Sequence, residues 1–344
     1  MSAAGRGPAS AGAAGGEGRA PVRVARYLGA SDGSAGGPRE LRLEVAAPCD
    51  AQGLLRSMDC SKPVLARAFA GRALLRGDEP LARTDALATG DVVTLRLARG
   101  GGDAPAAAHL PAGVAEPRVL YRDAFLMAVD KPAGILVHSD GGGAATLTSW
   151  VAAWLAAAGV PATPQAVQRL DVQTAGVTLF SLATEFQPQL DALVAGHAMH
   201  KRYLAVVEGA LPRDLSRIEA PIGRDRHDAR RMRVSASGKP ALTMVRTLCQ
   251  RGGRSLVELE LGTGRRHQIR VHLAHLGHPI VGDALYGRAR GGGAGPSRPG
   301  LMLHAYQEEF THPVTGEKIS ICAGWPQRFD AYFGEEDLGS ASRG

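Results

Sequence analysis

The sequence predicts an α+β protein, with a large domain on a mixed, mostly antiparallel sheet and a small unit ahead of it. Three observations carry this. Strand-like runs follow one another with few helices between them, the order expected of α+β chains rather than of a doubly wound sheet. A length of 344 residues, 44% hydrophobic and 21% charged, leaves room for two domains and an ordinary globular core. A Gly/Ala/Pro-rich stretch interrupts the strand-like pattern and reads as a linker. The expected division is residues 1–20 as low-complexity, disordered chain, 21–98 as the small unit, 99–117 as the linker and 118–335 as the large domain.

In the small unit, Ser61 stands where an N-cap belongs and Pro63 falls in the first turn, so residues 61–69 read as a helix. Residues 73–81 form a hairpin pattern about Gly77-Asp78, and 89–97 an alternating strand after Gly90-Asp91. In the large domain, residues 119–121 and 126–130 read as strands paired about an Arg122-Asp123 turn. Residues 135–137 continue the strand beyond a bend at Lys131-Pro132-Ala133-Gly134. Thr146 is placed to cap a helix over 146–158. Thr184-Glu185-Phe186-Gln187 has capping-box spacing and opens a second helix towards Gly196. Residues 202–207 read as a strand. Residues 256–261 alternate, as a half-exposed strand of an antiparallel sheet does. Residues 268–275 form a short helix closed by Gly277, with Pro279 soon after.

The stretch Gln168-Arg169-Leu170-Asp171-Val172-Gln173-Thr174-Ala175-Gly176 sets an arginine and an aspartate two residues apart, ahead of a small-residue turn. The apolar run that follows, Val177-Thr178-Leu179-Phe180, reads as a buried strand. A polar loop entering a buried strand puts its side chains at the edge of the core, where a carboxylate is both held and reached. That makes Asp171 a candidate; a surface ion pair is the plainer reading of the same residues.

Composition narrows the function classes. No apolar run approaches the length of about eighteen residues that a membrane span needs, and the Ala/Gly-rich N-terminus has no apolar signal core. Cys49, Cys60, Cys249 and Cys322 are dispersed, which suggests reduced thiols and a cytoplasmic setting. A net charge of +7 permits a polyanionic partner. Arginine is densest in residues 222–233, five against two aspartates, where Arg224, Arg226, Arg230 and Arg231 are placed to contact phosphates. A solvated charged face is the alternative. Arg67, Arg72 and Arg76 in the small unit carry the same pair of readings.

Four patterns then occur in order: Asp130-Lys131-Pro132-Ala133-Gly134-Ile135-Leu136-Val137-His138; Arg169-Leu170-Asp171-x-x-Thr174-x-Gly176; Lys201-x-Tyr203-x-Ala205-x-Val207-x-Gly209; and the long run from Thr263-Gly264-Arg265-Arg266-His267-Gln268-Ile269-Arg270 to Gly282-Asp283. With Leu303-His304-Ala305 and His312-Pro313-x-Thr315-Gly316-Glu317, these closely resemble the RluA family of RNA pseudouridine synthases, over about residues 118–325. The helix, hairpin and Gly90-to-Leu97 ending of the small unit are similar to the α-L RNA-binding domain first described in a ribosomal small-subunit protein.

The resemblance implies a pseudouridine synthase fold behind a small α-L-like RNA-binding domain. It implies Asp171 as the catalytic aspartate, Tyr203 as the active-site tyrosine and Arg270 as the arginine paired with Asp171. It also implies ribosomal or transfer RNA as partner, no cofactor and no metal, with a monomer as the default. Arg169 would fill the space left by an everted uridine or hold its displaced partner, and Arg265 and His267 would join the RNA contacts. The chemistry agrees. A carboxylate beside the sugar can serve as nucleophile or base, and a bidentate guanidinium would keep it ionised and oriented. A tyrosine can stack on the turned base and relay the proton leaving carbon 5. Gln168 and Ala175 depart from the family, which usually has His and Ser there, so rate or substrate range is affected before chemistry.

Three rival readings remain. A metal hydrolase would use His267, His272, His275 and His278, but only Asp283 offers a nearby carboxylate. A nucleotide-binding module would use Gly262-x-Gly264, but His267 stands where a third glycine belongs. A non-catalytic RNA-binding protein on the same fold would have no need of Asp171, Tyr203 and Arg270 together.

Overall fold

The computed structural model describes residues 24–34, 36–98, 116–139, 141, 144–287 and 300–342. The segment expected to be disordered, 1–20, and residues 99–115 of the expected linker lie outside the described residues.

The first unit runs β1 (Ala25–Ser31), β2 (Glu40–Val45), β3 (Cys49–Asp50), α1 (Ala51–Ser57), α2 (Lys62–Ala70), β4 (Leu74–Arg76), β5 (Glu79–Pro80), β6 (Ala86–Leu87) and β7 (Val92–Arg96). Five of these strands form one sheet in the order β1-β2-β7-β4-β5. α2 starts where Ser61 and Pro63 place it, although the Ser61 side chain makes no capping bond. In the loop before α1, the Asp50 carboxylate accepts from Gly53 N and caps the helix. The unit is richer in strand than its sequence pattern suggests, because β1 and β2 pair over six residues, broken by a bulge at Tyr27/Gly29.

The large domain continues with β8 (Arg118–Arg122), β9 (Leu126–Lys131), α3 (Leu147–Ala157), β10 (Gln165–Ala166), β11 (Ala175–Ser181), α4 (Gln187–Ala195), β12 (His200–Glu208), β13 (Arg217–Glu219), β14 (Ile222–Arg224), β15 (Met232–Val234), β16 (Leu242–Arg251), β17 (Arg254–Leu261), α5 (Gln268–His275), β18 (Leu303–Thr311) and β19 (Lys318–Cys322). Ten strands join in one sheet, ordered β13-β16-β17-β12-β18-β11-β9-β8, with β10 beside β11 and β19 beside β18. Among the described residues only β11 and β18 pair in parallel as strands, so the sheet is mixed and mostly antiparallel, as expected. The strand after the Asp171 loop is buried at every residue. α3 covers Met127, Val129, Phe180 and Leu182 on one side, capped by a reciprocal Thr146–Ser149 box. A second core gathers Tyr203, Leu259, Ile269, Leu273 and Leu303 around α5.

The first unit is docked on the second. Arg39, 2% exposed, donates from Nη2 to Ala124 O at 2.6 Å. Glu185 accepts from Ala98 N at 2.8 Å, and Leu41, Leu54 and Leu65 share a core with Phe125, Phe186 and Leu190. One departure from the sequence pattern lies at this contact. Gln187, which would close the box on Thr184, donates instead to Asp191 Oδ1, and Glu185 is held by the first unit; residues 184–186 form a 3-10 turn and the α-helix begins at Gln187. Two other expectations are corrected. Residues 135–137 do not extend a strand: Leu136 makes an isolated bridge to Thr146, and the carbonyls of Leu136 and Val137 accept from Leu147 N and Thr148 N at the start of α3. β17 is buried continuously over Ser255–Leu256–Val257, because β12 and β16 flank it and Phe329 and Phe333 pack in the same core; alternation holds only from Glu258 onward.

Candidate active site

Asp171 lies in the loop that enters β11, and its position is set from behind by a buried cation. Lys131, at the end of β9, donates from Nζ to the carbonyls of Pro132 (3.0 Å), Val172 (2.9 Å) and Thr174 (2.7 Å). Val172 O also accepts from Gly134 N, and Thr174 N returns to Asp171 O. Burial pulls the Lys131 ammonium down to about 8, with Asp171 opposing. Downstream, Gly176 has φ +113°, and a Cβ there would stand 2.1 Å from Ala305 O. No side chain fits where β11 meets β18.

The sheet register carries the second group. Gly176 pairs with Ala305 and Ala305 with Tyr203, so one transverse row links the Asp171 loop to β12. Two strand spacings of roughly 4.8 Å bring Tyr203 within reach of the same opening. Burial, then Glu308 and Asp171, raise the Tyr203 phenol well above its ordinary value, so it stays protonated.

The third group comes from α5. Arg270 Nη1 donates to Asp171 Oδ2 at 3.0 Å. The bidentate partner is not Asp171, as the sequence suggested, but Asp283: Nε to Oδ2 and Nη2 to Oδ1, both 2.8 Å. Asp283 in turn accepts from the backbone of Leu285 and Tyr286. The guanidinium fork is therefore locked on a buried carboxylate, and one of its three remaining N–H groups goes to Asp171, whose side chain is 26% exposed. Although burial works against it, the bonds from Asp283 and the charges of both carboxylates hold Arg270 firmly protonated.

Asp171, Tyr203 and Arg270 line one open cavity of about 1040 Å³, shared with Arg169, Lys201, Arg230, Arg265 and His267. This is at the roomy end of the usual range of about 300–1,000 Å³ for small-molecule pockets. A carboxylate, a phenol and a row of cations facing one polar opening can hold an anionic chain and present one of its sugars to the carboxylate.

Residues 126–275 match the RNA pseudouridylate synthase family, a span that contains all three groups. An uncharacterised RNA pseudouridine synthase of Bacillus subtilis is 34% identical over 276 residues, covering 79% of this chain and 88% of that one. The chain belongs to the RNA pseudouridine synthase family. A ribosomal large subunit pseudouridine synthase D of Xanthomonas campestris is 36% identical over 269 residues, 75% of this chain and 78% of its own. Among solved structures, human RNA pseudouridylate synthase domain containing 1 superposes with a TM-score of 0.55 at 26% identity, over 68% of this chain and 98% of that one.

Within this family member, the remaining sequence candidates divide by location. Arg169, Arg230, Arg265 and His267 line the cavity. Arg224 and Arg226 are exposed on the ribbon of β14 and β15, and Arg231 lies against Tyr286, outside the cavity lining. Arg67 and Arg72 are exposed on and after α2, in the first unit. The four histidines of the metal reading are dispersed in role. His272 is buried, within hydrogen-bond distance of Thr243 Oγ1 and Ala220 O, and His278 Nδ1 faces Glu208 O. No group of three metal-ligating side chains occurs among the described residues.

Sequence reasoning missed Lys131, Asp283 and a buried Gln168–Glu308 pair beside Lys201. Gln168 donates to Glu308, whose carboxyl is pushed up to about 7 by burial, against Lys201 and Gln168. Lys131 and Asp283 stood in the quoted motifs, and their chemistry was the available signal: a lysine ending an apolar strand and an aspartate after the apolar Pro279-Ile280-Val281 run.

Proposed function

We propose that this protein is an RluA-type RNA pseudouridine synthase that converts uridines in structured RNA to pseudouridine. The observation that carries the reading is the convergence of Asp171, Arg270 and Tyr203 on one cavity rimmed by arginine. In the reaction the bond from N1 to C1′ breaks, the base turns, and C5 bonds to C1′; the proton on C5 leaves and N1 takes one up. Asp171 acts at the sugar as nucleophile or base, and Arg270 Nη1 donates to the carboxylate that either route uses. Tyr203 stacks on the turned base and relays the C5 proton. The uridine must leave its stack to reach the cavity, and Arg169 holds the vacated position.

Arg224, Arg226, Arg230, Arg231, Arg265 and His267 grip the RNA backbone around the target, and Arg67 and Arg72 add affinity from the α-L-like unit at residues 21–98. Ribosomal RNA is the first substrate to test, given the relative named as a large-subunit enzyme, with transfer RNA second. The chemistry needs neither cofactor nor metal. Free cysteines support a cytoplasmic setting, and we take the active form to be a monomer.

The decisive experiment replaces Asp171 with Asn and follows pseudouridine in RNA from a strain lacking the gene. Product should vanish while RNA binding stays near that of the unaltered protein. Joint loss of both would make Asp171 structural, and full retention of product would favour a non-catalytic role for the cavity.

A further inference from the structure

Tyr286 takes no part in the chemistry described above, yet it touches every group that surrounds it. Its turn is fixed by Asp283 Oδ1, which accepts from the backbone N of Leu285 and of Tyr286. Two guanidiniums lie over its ring: Arg270, 5.1 Å from the centroid, and Arg231 of the arginine ribbon, 5.2 Å away. Its hydroxyl accepts from Met232 N, on β15 of the same ribbon, at 2.8 Å. The same oxygen lies 2.8 Å from His267 Nδ1, with the two rings edge to face at 5.7 Å.

His267 is the residue that makes these contacts consequential. It precedes α5 with φ +57°, a left-handed conformation that a histidine adopts only when its surroundings hold it there. Its Nε2 lies 3.8 Å from Asp171 Oδ1. A phenol oxygen that already accepts the Met232 N–H has its own proton to donate, and Nδ1 is the acceptor it faces. Nε2 then carries the ring proton and turns it toward the catalytic carboxylate, an electrostatic contact at 3.8 Å rather than a hydrogen bond. Burial, together with Arg270 and Arg266 and against Asp171 and Asp283, keeps His267 below its ordinary range, so the ring is neutral and has a tautomer to fix.

Building on the pseudouridine synthase reading, we propose that Tyr286 is a positioning residue coupling the arginine ribbon to Asp171. Its hydroxyl sets His267 with Nε2–H turned toward the carboxylate, and the ribbon's Met232 and Arg231 hold Tyr286 where it can do so. RNA seated on the ribbon thereby sets which edge of the His267 ring, N–H or lone pair, faces Asp171.

Tyr286→Phe tests this while leaving an aromatic ring for both guanidiniums. It should lower kcat by about tenfold with KM within about twofold, the scale of a misoriented catalytic group. In a His267→Asn background, where Asn tolerates the left-handed backbone, the same change should cost under about twofold. An equal loss in both backgrounds would overturn the route through His267. Arg231→Ala should lower kcat as well as raise KM, whereas Arg226→Ala, at an exposed position, should raise KM alone. A KM effect without any kcat effect from Arg231→Ala would remove the ribbon from the coupling. Nitrogen-15 spectra of histidine-labelled protein read the tautomer without turnover: Nε2–H in the unaltered protein, mixed or reversed in Tyr286→Phe. An identical tautomer in both would refute the proposal whatever the activity. Loss of the tautomer in a protein that forms no pseudouridine would instead overturn the assigned reaction and leave the coupling standing.

Discussion

Replacing Asp283 with Asn separates orientation from chemistry within one charge cluster. Asp283 and Arg270 are buried, joined by two bonds of 2.8 Å, while Asp171 meets the same guanidinium once, at 3.0 Å, from a partly exposed position. Removing one partner of a buried pair typically costs about 3–5 kcal/mol. Asp171 still balances Arg270 in part, and the Asn oxygen can keep the backbone bonds of Leu285 and Tyr286, so the lower end applies, about 3 kcal/mol. At about 2–4 °C per kcal/mol for a domain of this size, the melting temperature should fall by about 6–12 °C. Asp171→Asn loses a single charge-assisted bond near solvent and should cost about 1 kcal/mol. Thermal unfolding and pseudouridine formation, measured on both variants, should therefore diverge. Asp171→Asn folds nearly normally and makes no product; Asp283→Asn melts early and retains slow turnover, about 100-fold down, because Arg270 is unlatched. Equal melting temperatures for the two variants would refute the assignment of the locking role to Asp283.

Lys131→Met preserves the stem but strands three carbonyls of the Asp171 loop, so kcat should fall by about 100-fold with RNA binding retained; normal turnover would show that the loop holds its shape unaided. Glu308→Gln should stabilise the fold in alkaline buffer. Because burial raises this acid from 4.5 to about 7, the unfolded chain gives up its proton first, and stability declines as pH rises through that window. The neutral amide escapes the penalty, so its advantage should grow from near zero at pH 4 to at most about 3 kcal/mol above pH 7. A pH-independent offset in melting temperature would show that Glu308 carries no such titration. Removing residues 1–98 should lower the melting temperature by uncovering Phe125, Phe186 and Leu190. The paired change Arg67→Ala with Arg72→Ala leaves that core intact, so weaker RNA binding at constant melting temperature is expected; unchanged affinity would remove the first unit from RNA recognition.

The sheet class and most strands were legible because period-two patterns and Gly/Asp turns are local. Asp171, Tyr203 and Arg270 stood in the motifs that carry the family resemblance, and the structure brings all three to one cavity. What escaped depended on partners far along the chain. The Lys131 cradle uses carbonyls of Val172 and Thr174, more than forty positions on. Arg270 offered a fork that suits either of two aspartates, and only the turn after Gly282 decides that Asp283 receives it. Thr184 and Gln187 had capping-box spacing, but Gln187 donates to Asp191, and Glu185 between them accepts a backbone N–H from the other unit, 87 residues earlier.

That last contact has a consequence for recognition. With Arg39 hooked over Ala124 and Glu185 bound to Ala98, the α2 arginines stand at a set distance from the Asp171 opening. An RNA that engaged both ends would be gauged as between the jaws of a caliper rather than reeled in by a tether. Helices too short to bridge the two points, or bent away from them, would be refused by geometry before any base was inspected.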